Sequence, residues 1–363
     1  MTAAPTPSGL PQARVVPFSL HLDELACMLN AELADHPVYD GVELQWFDDA
    51  VHGTGMLAFL SCRADRRVDY YQQRGLRLDR SGYAIGGGTG SWTEIDFAVA
   101  RLVVGEEGVD AEARFADVDG RLIEIRVDDR DGRPRRRGGL LAPVSAAIER
   151  PTSLLLVWLP HFDLVRVAGR PPMVRIDGEE VSTGRLPGRR LHRRHLIKYA
   201  APVVTILVNP THDGAQLAPA AGQQIRGGPD GGVAELCAEH AGHRARLRFD
   251  PAVPDLAGLA DGADAVGRWH VEADAVRLTG GSWSARRAGD QVTVGLEVDE
   301  RWQPGRLPWL MRLVTTVVPV FRRWPTTYRW HAEIRLGEQP TLSSGWERTG
   351  DERGGGYRRA TGS

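Results

Sequence analysis

In several stretches of this chain every second residue is apolar and most of the residues between are charged or polar, a pattern that fits a β-strand and not a helix. Residues 109–115 (VDAEARF), 123–127 (IEIRV) and 292–298 (VTVGLEV) all follow it. Because successive side chains of a strand point to opposite faces, each stretch presents one dry face and one wet face. Such strands are typical of antiparallel sheets, and Asp-Gly pairs at 119–120, 131–132 and 177–178 predict hairpin turns. The expected fold class is therefore mainly β.

One segment near the N-terminus carries a helical pattern instead. Its apolar residues recur at the i, i+3, i+4, i+7 spacing of a stripe that packs on a core: Leu22, Leu25, Ala26, Leu29 and Leu33. Ser19 is suited to cap the first turn, and Pro37 and Gly41 end the pattern. We therefore expect an N-terminal helix from about Leu20 to Ala34.

The chain has 363 residues and is too long for a single ordinary hydrophobic core, so two domains are expected. Short segments recur: VDDR at 127–130 is echoed by VDER at 298–301, and GSW occurs at 90–92 and at 281–283. This spacing suggests an internal duplication of a β domain, although matches this short also arise by chance. The expected division is a flexible arm (1–17), a first β domain with the N-terminal helix (18–212), a linker rich in Gly, Ala and Gln (213–235), a second β domain (236–350) and a disordered tail (351–363).

This organisation resembles the two-domain lipocalin-like proteins, a group that includes carotenoid hydratases and tocopherol-cyclase-like enzymes. The likeness lies in two consecutive, aromatic-rich antiparallel units over about residues 40–340. It also lies in Leu141-Ala142-Pro143 with Ile148-Glu149-Arg150-Pro151, which resembles a segment of the hydratases. The resemblance implies two lipocalin-like β-barrel or sandwich units, each filled by side chains or holding one small ligand. It is architectural, and no catalytic residue is carried over from it.

Composition narrows the classes of function. The formal net charge of -2 argues against a broad nucleic-acid surface. Three cysteines cannot build a disulfide framework, and the N-terminal residues lack the apolar stretch of a secretion signal. The longest apolar runs, 154–159 and 314–321, are far shorter than the roughly 20 residues that span a bilayer. We expect a cytoplasmic protein with no transmembrane segment; peripheral membrane contact and oligomeric state are left open.

Six residues are candidates for acid–base catalysis: Asp48, Asp49, His52, Glu94, His161 and Asp163. The first three follow a strand that ends in aromatic residues, where an apolar surface can raise a carboxyl pKa and produce a general acid. His161 and Asp163 share a face if their segment is extended, as an acid–base pair requires. An Asp-rich hairpin turn and a hydrogen-bonded histidine at a strand end explain the same residues without catalysis.

A repeated tetrapeptide supplies a candidate metal site. WHVE (269–272) and WHAE (330–333) place a histidine and a glutamate on one face of a strand and the tryptophan on the other. If the two strands were neighbours, four side chains could bind a divalent metal or relay protons: His270, Glu272, His331 and Glu333. The alternative is a polar outer face of a sheet with both tryptophans packed inside. No other cofactor is expected.

Three further motifs have structural explanations. Cys237, His240 and His243 have a zinc-like spacing but no fourth ligand nearby, and a short polar helix accounts for them. The glycine-rich segment 85–90 precedes a predicted strand and no Lys-Ser/Thr, so it is a turn rather than a phosphate loop. The arginine-rich stretches 133–137 and 185–195 either grip a phosphate, a pyrophosphate or an acidic partner, or are solvated loops.

The aromatic residues predict either core packing or an aromatic-lined pocket. The candidates for that pocket are Trp46, Tyr70, Trp92, Trp158, Trp283 and Trp309. The favoured hypothesis is a β-barrel that binds an apolar isoprenoid, polyketide or acyl chain. It would carry out cofactor-independent acid–base hydration, cyclisation or isomerisation, as a lyase or isomerase does. The alternatives are a non-catalytic carrier of a hydrophobic ligand and an interaction protein that docks through its arginine-rich loops.

Overall fold

The computed structural model describes the chain in these ranges: 15–65, 67–80, 89–144, 146, 148, 150–166, 170–185, 194–216, 222–228, 230–303, 307, 312–313, 315–316 and 319–349. The structure is 63% strand and 3% helix, so the fold class is mainly β, as the alternating pattern predicts. Most of the predicted arm and the whole predicted tail lie outside these ranges. Over the ranges given, no helix has the length and apolar character needed to cross a bilayer.

Ten strands form a curled central sheet. From one edge to the other its path is β1 (Leu20–Leu25), β15 (Val203–Val208), β11 (Leu154–Arg166), β14 (Arg194–Ala200), β2 (Cys27–Glu32), β3 (Tyr39–Asp49), β4 (Gly53–Cys62), β5 (Val68–Gln73) and β6 (Thr89–Ile95); β10 (Gly138–Ala142) pairs with β11 off this path. Neighbours are antiparallel, except that β5 and β6 are parallel. Because β15 pairs with β1 and β14 with β2, the end of this region returns to its beginning.

Five strands form a smaller antiparallel sheet that packs on one face of the central sheet. Its order is β13 (Glu179–Glu180), β12 (Met173–Ile176), β9 (Leu122–Asp128), β8 (Gly108–Ala116) and β7 (Val99–Gly105). The alternating stretches 109–115 and 123–127 are strands here, as predicted. Their apolar side chains, including Val109, Ile123 and Ile125, are buried against the central sheet.

Nine antiparallel strands form the third sheet. Its order is β16 (His212–Gln216), β24 (Thr341–Arg348), β23 (Tyr328–Arg335), β22 (Gln291–Glu300), β21 (Val276–Ala288), β20 (Asp264–Ala273), β19 (His243–Val253), β18 (Val233–His240) and β17 (Gln223–Gly227). The stretch expected to be a linker, 213–235, thus contributes edge strands to this sheet. A short 3-10 turn, Pro319–Arg322, lies in the connection between β22 and β23.

Strand β4 shows that the central sheet is buried on both faces. Met56, Ala58 and Leu60 belong to the core shared with the five-stranded sheet. Leu57 and Phe59 belong to the other core, which continues into the nine-stranded sheet. A strand covered on both sides has to be apolar at every position, which explains its unbroken run of hydrophobic residues.

The chain has two halves: the strands up to residue 208 form the central and five-stranded sheets, and the strands from residue 212 onward form the nine-stranded sheet. One continuous apolar core joins these two halves. The ring of Phe18 has its centroid 4.6 Å from that of Phe249 and 5.7 Å from that of Trp330. From the other side, Trp346 donates its indole N–H to the carbonyl oxygens of Val208 and Asn209. The nine-stranded sheet is therefore packed directly on the N-terminal half.

The predicted N-terminal helix is wrong, because residues 20–32 form β1 and β2 with a bend at Ala26 between them. In β2, Cys27, Leu29 and Ala31 alternate on the face toward the five-stranded sheet, while Met28 is buried on the opposite face. A strand buried on both faces carries apolar residues at the helical spacing as well as at the spacing of two. Pairing with neighbouring strands therefore overrides the local pattern.

Candidate functional site

The N-terminal strand β1 lies against β18 and β19 of the nine-stranded sheet, and ionisable side chains from both halves of the chain meet there. We term this group the histidine–carboxylate cluster. Its members are Asp23, Glu24, Asp49, His52, His240, His243 and Asp274. They come from four separate places in the sequence, so the docking of the two halves creates the cluster.

His52 lies in the turn between β3 and β4 with its imidazole between two carboxylates. Its Nδ1 is 2.9 Å from Asp49 Oδ2, and its Nε2 is 3.1 Å from Asp23 Oδ2. The backbone N–H groups of Val51 and His52 both donate to Asp49 Oδ1 at 2.7 Å, a local turn that fixes this carboxylate. The ring also packs on Phe47, with centroids 5.2 Å apart. Both ring nitrogens and one ring face are thus held in place.

His243, at the start of β19, has a comparable arrangement. Its Nδ1 lies 2.6 Å from Asp274 Oδ2, and its Nε2 lies 3.5 Å from Glu24 Oε2. The other oxygen of Asp274 accepts the backbone N–H of Arg244 at 3.0 Å. The imidazole is therefore oriented by a carboxylate of its own sheet and faces a carboxylate of the other half.

A tight hairpin, at the place where the sequence suggests a short polar helix, positions the two histidines that the nine-stranded sheet contributes to the cluster, His240 and His243. Ala241 and Gly242 both have positive φ, 49° and 86°, the backbone geometry of a two-residue hairpin turn. His240 and His243 are paired across this turn, so their rings are on the same face of the hairpin. His240 Nε2 lies 3.7 Å from Asp23 Oδ1, so Asp23 faces both His240 and His52.

A cleft of about 470 Å³ opens beside the cluster, a volume within the range of small-molecule sites. Its wall is mostly charged or ionisable and includes Glu239, His240, His243, Arg244, Arg246, Glu272 and Asp274. Such a wall suits a small molecule with at least one polar or ionisable end. Three members of the cluster would contact that molecule directly.

Two carboxyl groups of the cluster have pKa values shifted in opposite directions. Burial raises the pKa of Glu24, against the lowering influence of His243 and His240. For Asp49, burial pushes the pKa up, but hydrogen bonds from His52 and Val51 outweigh it and the net pKa is lowered. One carboxyl group therefore holds its proton more readily, while the other stays ionised beside an imidazole. Such divergence is typical of acid–base sites.

Four of the six predicted catalytic residues lie outside the cluster, and only Asp49 and His52 belong to it. Asp48 is exposed and accepts a hydrogen bond of 2.8 Å from a threonine hydroxyl across the hairpin. Glu94 is also exposed and forms an ion pair of 2.9 Å with Arg80. Both have the contacts of ordinary surface carboxylates.

His161 and Asp163 lie on β11 in different surroundings. His161 is exposed and lines a second cleft that is rich in arginine. Asp163 is buried, with Oδ2 3.4 Å from the Tyr199 hydroxyl and Oδ1 3.7 Å from Arg194. The structure shows Asp163 within a polar network rather than paired with His161.

Four of the predicted pocket aromatics belong to or pack against the core that joins the two halves, and a fifth packs against the other core. Trp158 and Trp283 are buried in the core that joins the two halves, with 6% and 2% exposure. Tyr70 and Trp92 stack with parallel rings and centroids 4.2 Å apart. Trp46 packs at the margin of the core under the five-stranded sheet. Trp309 lies outside the described residues.

The predicted metal ligands are not brought together, because β21 and β22 separate β20 from β23. His270 Nε2 contacts Glu272 Oε1 at 3.2 Å, while His331 and Glu333 are exposed on β23. Both tryptophans of the repeated tetrapeptide are fully buried, as the alternative interpretation expects. Among the residues that the structure describes, no group of three or more His, Cys, Asp or Glu side chains is arranged to hold a metal ion.

Sequence reasoning missed two buried carboxyl groups with strongly raised pKa values. Burial raises the pKa of Glu43 to about 7 and that of Asp129 to about 6, although hydrogen bonds and nearby cations oppose the shift at both. It also missed Asp23, Glu24 and Asp274 of the cluster. No sequence signal identifies these residues, since each belongs to an ordinary strand or turn and becomes special only through its neighbours in the fold.

Comparison of the chain with protein-family models, with curated proteins and with solved structures finds no match. A function for the chain is therefore inferred from the geometry of the histidine–carboxylate cluster and its cleft.

Proposed function

We propose that the chain is a cofactor-independent acid–base enzyme, of the isomerase or lyase type, acting on a small molecule in the cleft beside the histidine–carboxylate cluster. One observation carries the proposal: two histidines on the cleft wall each face a carboxylate that the other half of the chain supplies. A positioned imidazole is the commonest proton donor and acceptor in enzymes.

His243 is suited to be the group that exchanges a proton with the substrate. With its Nδ1–H donated to Asp274, its Nε2 is a proton acceptor; once protonated, Nε2–H can donate to Glu24 or back to the substrate. The raised pKa of Glu24 favours that carboxyl as a second group for proton exchange at the same place. Together, His243 and Glu24 could remove a proton from one atom of the substrate and return a proton to another.

The remaining members of the cluster act as a relay and positioning set. Asp23 lies between His240 on the cleft wall and His52 behind it, so a proton can pass between the two rings through one carboxylate. Asp49 contacts the Nδ1 of His52 and so orients the ring, with its Nε2 toward Asp23. His52 and Asp49 would tune the reaction without touching the substrate.

Two finer predictions belong beside this proposal: that the halves are duplicated lipocalin-like barrel units, and that the ligand is an apolar isoprenoid, polyketide or acyl chain. A charged cleft is compatible with such a ligand if the reacting end is polar, such as an alcohol, a ketone or a carboxylic acid. The carrier hypothesis requires the same cleft to bind without proton transfer, and the interaction-protein hypothesis requires no small ligand.

Exchange of substrate hydrogen for solvent deuterium tests the proposal whatever the product of the reaction is. The protein is incubated in D₂O with isoprenoid alcohols, β-keto acids and acyl thioesters, and deuterium uptake is followed by mass spectrometry. We expect uptake at one carbon of at least one compound class. His243→Gln and His240→Gln should each slow it by about 100-fold, the lower end of the usual contribution of general acid–base catalysis.

His331→Gln is the matched control, because that histidine is exposed on β23, four strands away from β19. It should leave the exchange rate unchanged, and all variants should melt as cooperatively as the native chain. Saturable binding of a compound with no exchange above the solvent rate would reject catalysis and favour the carrier. Equal losses in His331→Gln and His243→Gln would remove the cluster from the explanation.

A further inference from the structure

We propose a second ligand site, separate from the histidine–carboxylate cluster, that binds a small molecule carrying a phosphate or pyrophosphate group. The site is a cleft of about 860 Å³, here termed the arginine cleft. Its wall includes Glu106, Arg135, Arg136, Arg137, His161 and Arg312. None of the residues that line it lines the cleft beside the cluster.

The charge of this wall selects an anion. Four guanidinium groups and one histidine line the cleft against a single carboxylate, that of Glu106. In the part of the chain that the structure describes, no carboxylate lies within ion-pair distance of Arg136, Arg137 or Arg312. Arg137 instead donates to the carbonyl of Gly105, and Arg312 to the carbonyl of Leu307 at 3.5 Å. This leaves a surplus of positive charge in a concave surface.

Arg135 is held rigidly in the wall of the arginine cleft. Its side chain is fully buried, and it is fixed by donating to the carbonyl of Glu107 at 2.6 Å and to that of Asp129. Its Nη1 has no hydrogen-bond partner in the described ranges, and the same holds for Nε of Arg137. Buried N–H donors without acceptors are costly, so each of these two groups would gain from an acceptor oxygen that a ligand supplies.

The carboxylates near Arg135 do not fill that role. Asp129 Oδ2 and Asp131 Oδ2 lie 3.4 and 3.7 Å from its Nη2, so they hold the opposite side of the guanidinium and leave Nη1 free. With Nε and Nη2 engaged, Nη1 is the nitrogen of this guanidinium that is left to donate to an anion oxygen. The acidic residues thus orient the arginine for a ligand.

The size and position of the cleft favour a small molecule over a polyanion. Its volume falls in the range of small-molecule sites, and the net charge of the chain is only -2. It is formed by Glu106 of the turn between β7 and β8, by residues 134–137 of the loop between β9 and β10, by His161 of β11, and by Leu307 and Arg312 from the connection between β22 and β23. Both halves of the chain therefore contribute to it, as they do to the cluster.

Titration calorimetry of the full chain with pyrophosphate, inorganic phosphate and citrate tests the site. We expect saturable binding of one pyrophosphate per chain, weaker binding of phosphate, and weaker binding of citrate. Because Arg135 is buried and its loss could unfold the loop, the variant of choice replaces the exposed pair, Arg136→Gln with Arg312→Gln. This variant should weaken pyrophosphate binding about tenfold or more, since each charged contact contributes substantially.

The control variant, Arg126→Gln with Arg335→Gln, removes the same charge from two exposed strand positions outside the cleft. It should bind pyrophosphate like the native chain. No saturable binding, or an equal loss in both double variants, would overturn the proposal. Binding to vesicles that contain phosphatidic acid but not to free pyrophosphate would also overturn it and assign the cleft to a membrane surface.

Discussion

Replacing Glu43 by glutamine should benefit the stability of the protein more at pH 8 than at pH 5. Glu43 lies on β3 and is 8% exposed. Its two oxygens accept hydrogen bonds from Gln45 Nε2 at 2.8 Å and from Asn30 Nδ2 at 3.0 Å. Burial raises its pKa from 4.5 to about 7, although those two amides and Lys198 oppose the rise.

The sign follows from proton binding. Between pH 4.5 and 7 the folded chain holds a proton on Glu43 that the unfolded chain releases, so folding is favoured at low pH and less favoured as pH rises through the folded pKa. At about 1.4 kcal/mol per pKa unit, this group lowers the free energy of unfolding by about 3 kcal/mol between pH 4.5 and 8. Glutamine does not ionise, but its NH₂ group cannot accept a hydrogen bond, so one of the two amides loses its acceptor at every pH. The effect of the substitution on the free energy of unfolding should therefore be about 2–3 kcal/mol more favourable at pH 8 than at pH 5.

Urea denaturation followed by tryptophan fluorescence at pH 5 and pH 8 measures the difference. Glu333→Gln, at an exposed position of β23, serves as the control and should shift neither curve by more than about 0.5 kcal/mol. If Glu43→Gln changes stability by the same amount at both pH values, Glu43 is not protonated in the fold and the reasoning from its burial is refuted.

Two further predictions concern packing and a buried network. Gly267→Ala should lower the free energy of unfolding by about 1–3 kcal/mol in thermal melts, because a Cβ there would lie 2.5 Å from Nε1 of the buried Trp283. Gly337→Ala has open space around it and should be neutral in the same measurement. Tyr39→Phe should cost about 1 kcal/mol, because the Tyr39 hydroxyl donates to Asp117 at 2.7 Å and accepts from Arg121 at 3.0 Å; a neutral result in urea denaturation would show that this network does not stabilise the fold.

The period-two pattern predicts strands that have one face toward a core and one toward solvent, such as 109–115 in the five-stranded sheet and 292–298 in the nine-stranded sheet. It fails at 20–34, where β2 is buried on both faces and its apolar residues also satisfy a helical spacing. The failure has a physical cause: a central strand in a layered β fold loses the polar face that would reveal its period.

The candidate site is predictable only in fragments. The sequence singles out Asp49 with His52, and separately His240 with His243, but nothing in it indicates that residues nearly 190 positions apart face the same carboxylate, Asp23. The shifted pKa values of Glu24 and Glu43 depend on what buries them, which is a property of sheet docking. Local patterns define strands, whereas sites of this kind depend on contacts between sheets.

The central claim is that His240 and His243 serve one proton-transfer site. The most direct test is the rate of solvent deuterium uptake by the most reactive compound, compared among the two single variants and the double variant His240→Gln with His243→Gln. Residues that act as a unit lose activity together, so the double variant should be no slower than the slower single variant, within about threefold. Losses that multiply in the double variant, or no loss in any of them, would contradict the account.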